Sequence, residues 1–218
     1  MDWNNDFAIK ILPKLLDGLW GTVKLTMLSM IIALVVGLLV AVIRYLKIPV
    51  ISGILTFYVL FVRGTPLLVQ AYAAFFILPS YGITLSAFKT AVIVLGLNYS
   101  AYTAEVYRSG IEGLPAGQWE AATALSLPTR RTWSKIVLPQ SVKTIIPVLG
   151  NYWIQMFKDS AILSAITYTE LMLAAKSIGS SDFRYLEPFT IAGLMYLVVS
   201  YAASLIVKAT ERRYAPTH

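Results

Sequence analysis

Three places in this chain set charged or amide side chains among apolar ones. Asn151, Gln155 and Asp159 recur every four residues and share one helical face. Asn98, Tyr102 and Glu105 do the same earlier in the chain, and Arg63-Gly64-Thr65-Pro66 interrupts an otherwise uncharged stretch. Polar groups inside apolar helices face either a partner helix or a cavity. For the 151–159 stripe both readings carry equal weight. Asp159 could hold a ligand ammonium, or pair with Lys158. The Asn98 amide both donates and accepts, and lining a path is its preferred reading. Glu105 reads better as a salt bridge to Arg108, three residues on. Arg63 suits bidentate pairing with a carboxylate. A clamp on backbone carbonyls, or on the long loop described below, is preferred for it. Gln70, just beyond the Pro66 break, is a further candidate for lining the path.

This chemistry is recognition. The sequence has no cysteine, and its one histidine is the last residue, His218. Zinc, haem and thiolate sites are therefore not expected. No serine–histidine or paired-carboxylate constellation supports an intramembrane enzyme.

The elements that must hold these residues follow from composition. Of the 218 residues, 57% are hydrophobic and only 13% charged, against about 25% charged in a soluble domain. With a mean hydropathy of +0.69, the chain is expected to be an all-α integral membrane protein. A crossing needs about 20 apolar residues. Five stretches are expected to span, at about 22–46, 52–78, 87–107, 140–160 and 188–208, the second broken locally at Gly64-Thr65-Pro66. The first 24 residues mix acidic and basic side chains and offer no small-residue cleavage site, so no cleavable signal peptide is expected. An odd number of spans puts the termini on opposite sides. Arg44, Lys47, Lys208, Arg212 and Arg213 flank span ends on one side, which marks that side as cytoplasmic and the N-terminus as outside. The net charge of +7 is thus a topology signal and gives no hint of nucleic acid. Trp3, Trp20, Tyr81, Tyr185 and Tyr214 suit the two membrane interfaces.

On this topology the longest cytoplasmic stretch is about 109–139. A short helix is expected from about Gly117 to Leu125, then a second from Thr129 to Val137 after Pro128, with Pro139 opening the fourth span. Trp119, Ala122, Leu125 and Leu127, left exposed on the loop, would need a partner.

Glu120-Ala121-Ala122, followed by Ile136-Val137-Leu138-Pro139-Gln140, resembles the EAA loop of binding-protein-dependent ABC importers. More narrowly, the chain resembles the membrane permease subunit of polar amino acid importers. Phe61 to Leu68, Ala101-Tyr102-Thr103-Ala104-Glu105, Gly117-Gln118-Trp119-Glu120 and Lys158-Asp159-Ser160-Ala161 match that subfamily in order, and the resemblance runs from Gly18 to Arg213. One position departs. Ser126 stands where the family usually has Gly, which would permit a positive φ; Ser can instead cap the next helix.

The resemblance implies a type I ABC importer permease fold in the bacterial cytoplasmic (inner) membrane. It implies a dimer of separate ATPase subunits, carrying ATP and Mg, docked on Gly117, Gln118, Trp119, Glu120, Ala121, Ala122, Leu125, Ser126 and Leu127. This chain would bind no cofactor, and it has no Gly-x-x-x-x-Gly-Lys-Ser/Thr motif of its own. A second permease, identical or homologous, and an extracytoplasmic solute-binding protein complete the implied set of partners. The substrate path would draw on Arg63, Gln70, Asn98, Tyr102, Asn151, Gln155, Lys158, Asp159 and Ser160. The alternative is a stand-alone secondary transporter or channel, which would usually show internal repeats; none is evident. Glu120→Ala, or a charge placed at Ala122, is expected to uncouple ATP hydrolysis from transport while leaving membrane insertion intact. Wild-type coupling in reconstituted transport assays would refute the docking role.

Overall fold

The structure, a computed structural model, describes residues 2–214, with side chains to Arg212. His218 lies outside the described residues, as do the side chains of Arg213 and Tyr214. All regular structure among the described residues is helical.

Helix α1 (Asn5–Tyr45) starts where the Asn4 side chain accepts from the Phe7 N–H at 3.0 Å. Its 41 residues make a rod of about 60 Å, twice the roughly 30 Å of the hydrocarbon core. The helix therefore begins well before the 22–46 stretch. Ala8, Ile11 and Leu15 recur at helical spacing and bury against Leu171, Ala174, Ala175 and Ile178. Those four belong to α8 (Leu171–Asp182), a helix that the sequence reading left as connecting chain. Its start is fixed by Glu170, which is fully buried and accepts from the Met172 and Leu173 N–H groups at 2.8 and 2.7 Å and from Tyr196 Oη at 2.6 Å.

The 52–78 stretch is not one straight element. Helix α2 (Ile51–Gly64) ends at the expected break, and α3 (Leu67–Tyr72), continued by π and 3-10 turns to Tyr81, departs at 109°. Helix α4 (Ala87–Glu112) is the central post. Thr90, Asn98, Ser100 and Thr103 are all buried within its length. By length and composition, α1 and the Leu186–Arg212 part of α9 (Leu186–Tyr214) can each cross a membrane alone. Two bent pairs can do so as units: α2 with α3, and Thr129–Ile166 with α8 at 49°.

In the long loop, α5 (Ala116–Ala124) is a separate helix. The expected second short helix is not: α6 (Thr129–Thr132) runs through a π turn at Trp133–Val137 straight into α7 (Leu138–Asp159). Pro139 therefore does not open a helix; it sits inside the continuous one, two residues past the π turn.

Small residues let α1 and α4 meet at backbone distance. Ser29, Ala33 and Gly37 form one buried stripe on α1. Ser29 Oγ donates to the Val92 carbonyl at 3.1 Å, and Thr103 Oγ1 donates to the Ala33 carbonyl at 2.7 Å. A Cβ on Gly37 would lie 2.0 Å from Thr103 Oγ1 and 2.9 Å from the Ser100 carbonyl oxygen. Gly37→Ala is expected to cost about 1–3 kcal/mol of stability by overpacking, read from thermal unfolding in detergent. An unchanged melting temperature would show that the two helices can part freely.

Candidate functional site

The break between α2 and α3 opens a cavity of about 470 Å³ against α4 and the end of α7. Arg63, Thr65 and Pro66 form one wall, Asn98, Tyr99 and Tyr102 a second, and Tyr152, Gln155 and Asp159 the third. A helix broken at membrane depth leaves carbonyls without donors, and Gln70 supplies them. Its Nε2 reaches the Val62 carbonyl at 2.9 Å, the Thr65 carbonyl at 3.2 Å and Thr65 Oγ1 at 2.7 Å. Its Oε1 accepts from Asn98 Nδ2 at 3.1 Å. Gln70 thus holds the wall and does not line it, and Asn98 both lines the cavity and braces Gln70.

Asp159 accepts from Tyr99 Oη at 2.6 Å and from Gln155 Nε2 at 3.2 Å. No ion pair joins it to Lys158, which points outward. Arg63 does not clamp backbone carbonyls; its guanidinium lies over the Tyr102 ring, 5.4 Å from the centroid. Tyr99, Tyr102 and Tyr152 pack together with centroids 5.8–6.0 Å apart.

The structure brings Arg63, Asn98, Tyr102, Gln155 and Asp159 to one cavity. Asn151 and Ser160 stay out of it. Ser160 is buried and donates to the Phe157 carbonyl at 2.7 Å, and Asn151 is exposed elsewhere on α7. Tyr99 and Tyr152 are lining residues that the sequence reading missed. Tyr152, Gln155 and Asp159 fall within about 60° around a 3.6-residue helix, whereas Asn151 lies about 80° from Asp159. The true period was the available signal. Glu105 lies a turn beyond the cavity. It pairs with Arg108 at 2.7 Å, as expected, and also with Arg44 at 2.5 Å, while Arg108 bridges on to Glu112.

At the loop, α5 presents Gly117, Gln118, Glu120, Ala121 and Leu125 outward, with Leu125 72% exposed. Ala122 is not part of that surface. It is 2% exposed, wedged between α5 and α6 beside Trp119, Leu127 and Thr132. A charge there would split the two helices, so it would not report on docking alone. Ser126 does not cap the next helix. It adopts φ 50°, the left-handed conformation that Gly would favour. Its N–H donates to the Thr123 carbonyl at 2.9 Å, and the Leu127 N–H donates to the Ala122 carbonyl at 3.0 Å. This pair of bonds is a Schellman closure. Trp119 packs edge-on to Trp133 at 5.7 Å, and Trp133 to Tyr45 of α1 at 5.3 Å. Gln140 Nε2 donates to Gln118 Oε1 at 3.0 Å.

A family model described as the binding-protein-dependent transport system inner membrane component matches residues 33–216. The chain belongs to this family. The permease is 41% identical over 205 residues to a probable amino-acid ABC transporter permease protein of Sinorhizobium fredii, covering 94% of this chain and 89% of that one. It is 37% identical over 213 residues to the arginine transport system permease protein of Bacillus subtilis, covering 96% and 97%. It also superposes on a crystal structure of an amino acid ABC transporter with histidines at a TM-score of 0.93 and 36% identity, covering 98% of this chain and 100% of that one. The fold is therefore that of a type I ABC importer permease, an all-α integral membrane protein, and the Glu120-Ala121-Ala122 segment is the family's EAA motif.

Removing the Gln70 amide tests the cavity wall. Gln70→Leu strands the Val62 carbonyl and the Asn98 N–H, each worth about 1–3 kcal/mol. A lowered unfolding temperature in detergent is expected, and wild-type stability would show that the break is held by other groups.

Proposed function

We propose that this permease carries a polar amino acid or a related small zwitterion into the cytoplasm by alternating access, and that the cavity is its binding site. One observation carries the reading. Arg63 and Asp159 line the same cavity, and among the described residues neither takes part in an ion pair. A guanidinium and a carboxylate held apart inside a membrane protein are costly unless something completes them. An α-amino acid brings a carboxylate for the one and an ammonium for the other. Asn98 and Gln155 add amide donors and acceptors, and the three tyrosines offer aromatic surface to a side chain.

The rest of the machine is inferred from the family and the loop. Two permeases, identical or homologous, enclose the path in the bacterial cytoplasmic membrane, with the N-terminus outside. A dimer of ATPase subunits, which binds ATP and Mg, docks on the outward face of α5. A solute-binding protein delivers the zwitterion from the other side. ATP-driven movement of α5 reaches the bundle through Trp119, Trp133 and Tyr45, an unbroken aromatic line from the loop to α1.

The test is uptake into liposomes by the full assembly. Asp159→Asn keeps the acceptor for Tyr99 and removes the charge. A charge-assisted bond is worth about 1.5–3 kcal/mol, so uptake at subsaturating solute is expected to fall about 10- to 100-fold with ATP hydrolysis retained. Unchanged uptake would remove the cavity from the path. Uptake by the chain without any ATPase would overturn the ATP-driven reading.

A further inference from the structure

The loop end of the bundle holds a pair of cavities away from the proposed solute path. One, of about 460 Å³, is almost purely apolar and lies between α1, α4 and α7. Its walls include Leu38 and Val42 of α1, Ile111 of α4, Val142 and Ile145 of α7, and Trp133. The other, of about 410 Å³, is lined by Arg44, Lys47, Arg108 and Glu112. Tyr45 and Arg108 line both, so the apolar groove opens directly onto the basic one.

We propose that the two form one site for an anionic phospholipid, its acyl chain in the apolar groove and its phosphate at Lys47, Arg44 and Arg108. Three observations support that occupant. The first is charge. Three cations meet only two carboxylates, Glu105 and Glu112, and Lys47 takes part in no ion pair among the described residues. An uncompensated cation at a helix end, beside an apolar groove, is what attracts an anionic headgroup. The second is a stranded hydroxyl. Ser141 lines the apolar groove, is 1% exposed and finds no hydrogen-bond partner. Buried hydroxyls are ordinarily satisfied, and a small shift of the groove wall on binding would let a lipid ester carbonyl accept from this one. The third is shape: the groove's rim residues Leu38, Val42, Leu138 and Val142 are exposed on the bundle surface, so a chain can enter from the bilayer side. The site adjoins Trp133, so an occupied groove would bear on the aromatic line from α5. The proposal rests on this end of the bundle lying at a membrane interface, and it requires nothing of the transported solute.

Trp133 makes the site readable. The full chain, purified with the subunits that accompany it, is placed in phosphatidylcholine nanodiscs and titrated with phosphatidylglycerol brominated on its acyl chains. Quenching is scored as the difference between wild type and Trp133→Phe, which isolates this residue from the other tryptophans. Saturable quenching is expected at a several-fold lower mole fraction of brominated phosphatidylglycerol than of brominated phosphatidylcholine. A cation near the headgroup is worth about 1 kcal/mol, so Lys47→Gln should reduce that preference about fivefold, and Lys47→Arg should keep it. Val142→Phe, which fills the groove, should abolish the Trp133 quenching by both lipids. Equal quenching by the two lipids in wild type, or an unchanged preference in Lys47→Gln, would overturn the proposal. So would a Trp133 reached by neither lipid, the result if a second permease or an ATPase covers the groove. No solute or ATP is present, so either result leaves the transport reading untouched.

Discussion

Everything about the central cavity depends on one side-chain amide. The chain turns by 109° at Thr65-Pro66, which takes the carbonyls before the break out of helical hydrogen bonding. Gln70 answers that need with its N–H groups and uses its oxygen to tie the bend to Asn98 on α4. Pro66 keeps the chain from running through as one helix; without the amide the bend would lose its donors and its anchor on α4. The amide converts a local defect into a fixed concave surface.

The second constraint is closeness. Ser29, Ala33 and Gly37 bring α1 against α4 with almost no side chain between them, and the hydroxyls of Ser29 and Thr103 bond across the gap to carbonyls. In an apolar surrounding, where no hydrophobic force drives helices together, such contacts supply the cohesion. They also make α4 a stiff post. One part of that post lines the cavity with Asn98, Tyr99 and Tyr102, and the end toward the loop carries the Arg44–Glu105–Arg108 network.

The sequence showed the membrane class, the break at Gly64-Thr65-Pro66 and the short helix α5, because hydropathy and proline act locally. It also pointed to Arg63, Asn98, Tyr102, Gln155 and Asp159 as polar groups among apolar ones, though with Gln70, Asn151, Lys158 and Ser160, which do not line the cavity. What stayed hidden depended on distant partners. The helix α8 is amphipathic toward α1, so its apolar content alone looked too small for a span. Nothing local singles out Glu170 or reveals the three donors that meet it when buried. Ala122 looks like an exposed apolar residue, but α6 covers it. Arg63 found an aromatic face where backbone carbonyls were expected, and no spacing rule predicts that choice. Ser126 read as a capping residue, yet it takes the left-handed conformation that its family counterpart would take as Gly.

The continuity of α6 with α7 has a mechanical meaning. From Thr129 to Asp159 the chain is one rod of about 46 Å, jointed by the π turn at Trp133–Val137 and by Pro147. Its loop end touches α5 and its far end carries Gln155 and Asp159. Such a rod is a lever arm: each degree of tilt about its loop end sweeps the Asp159 carboxylate through about 0.8 Å. A few degrees therefore suffice to pull a carboxylate out of hydrogen-bond reach of whatever it holds.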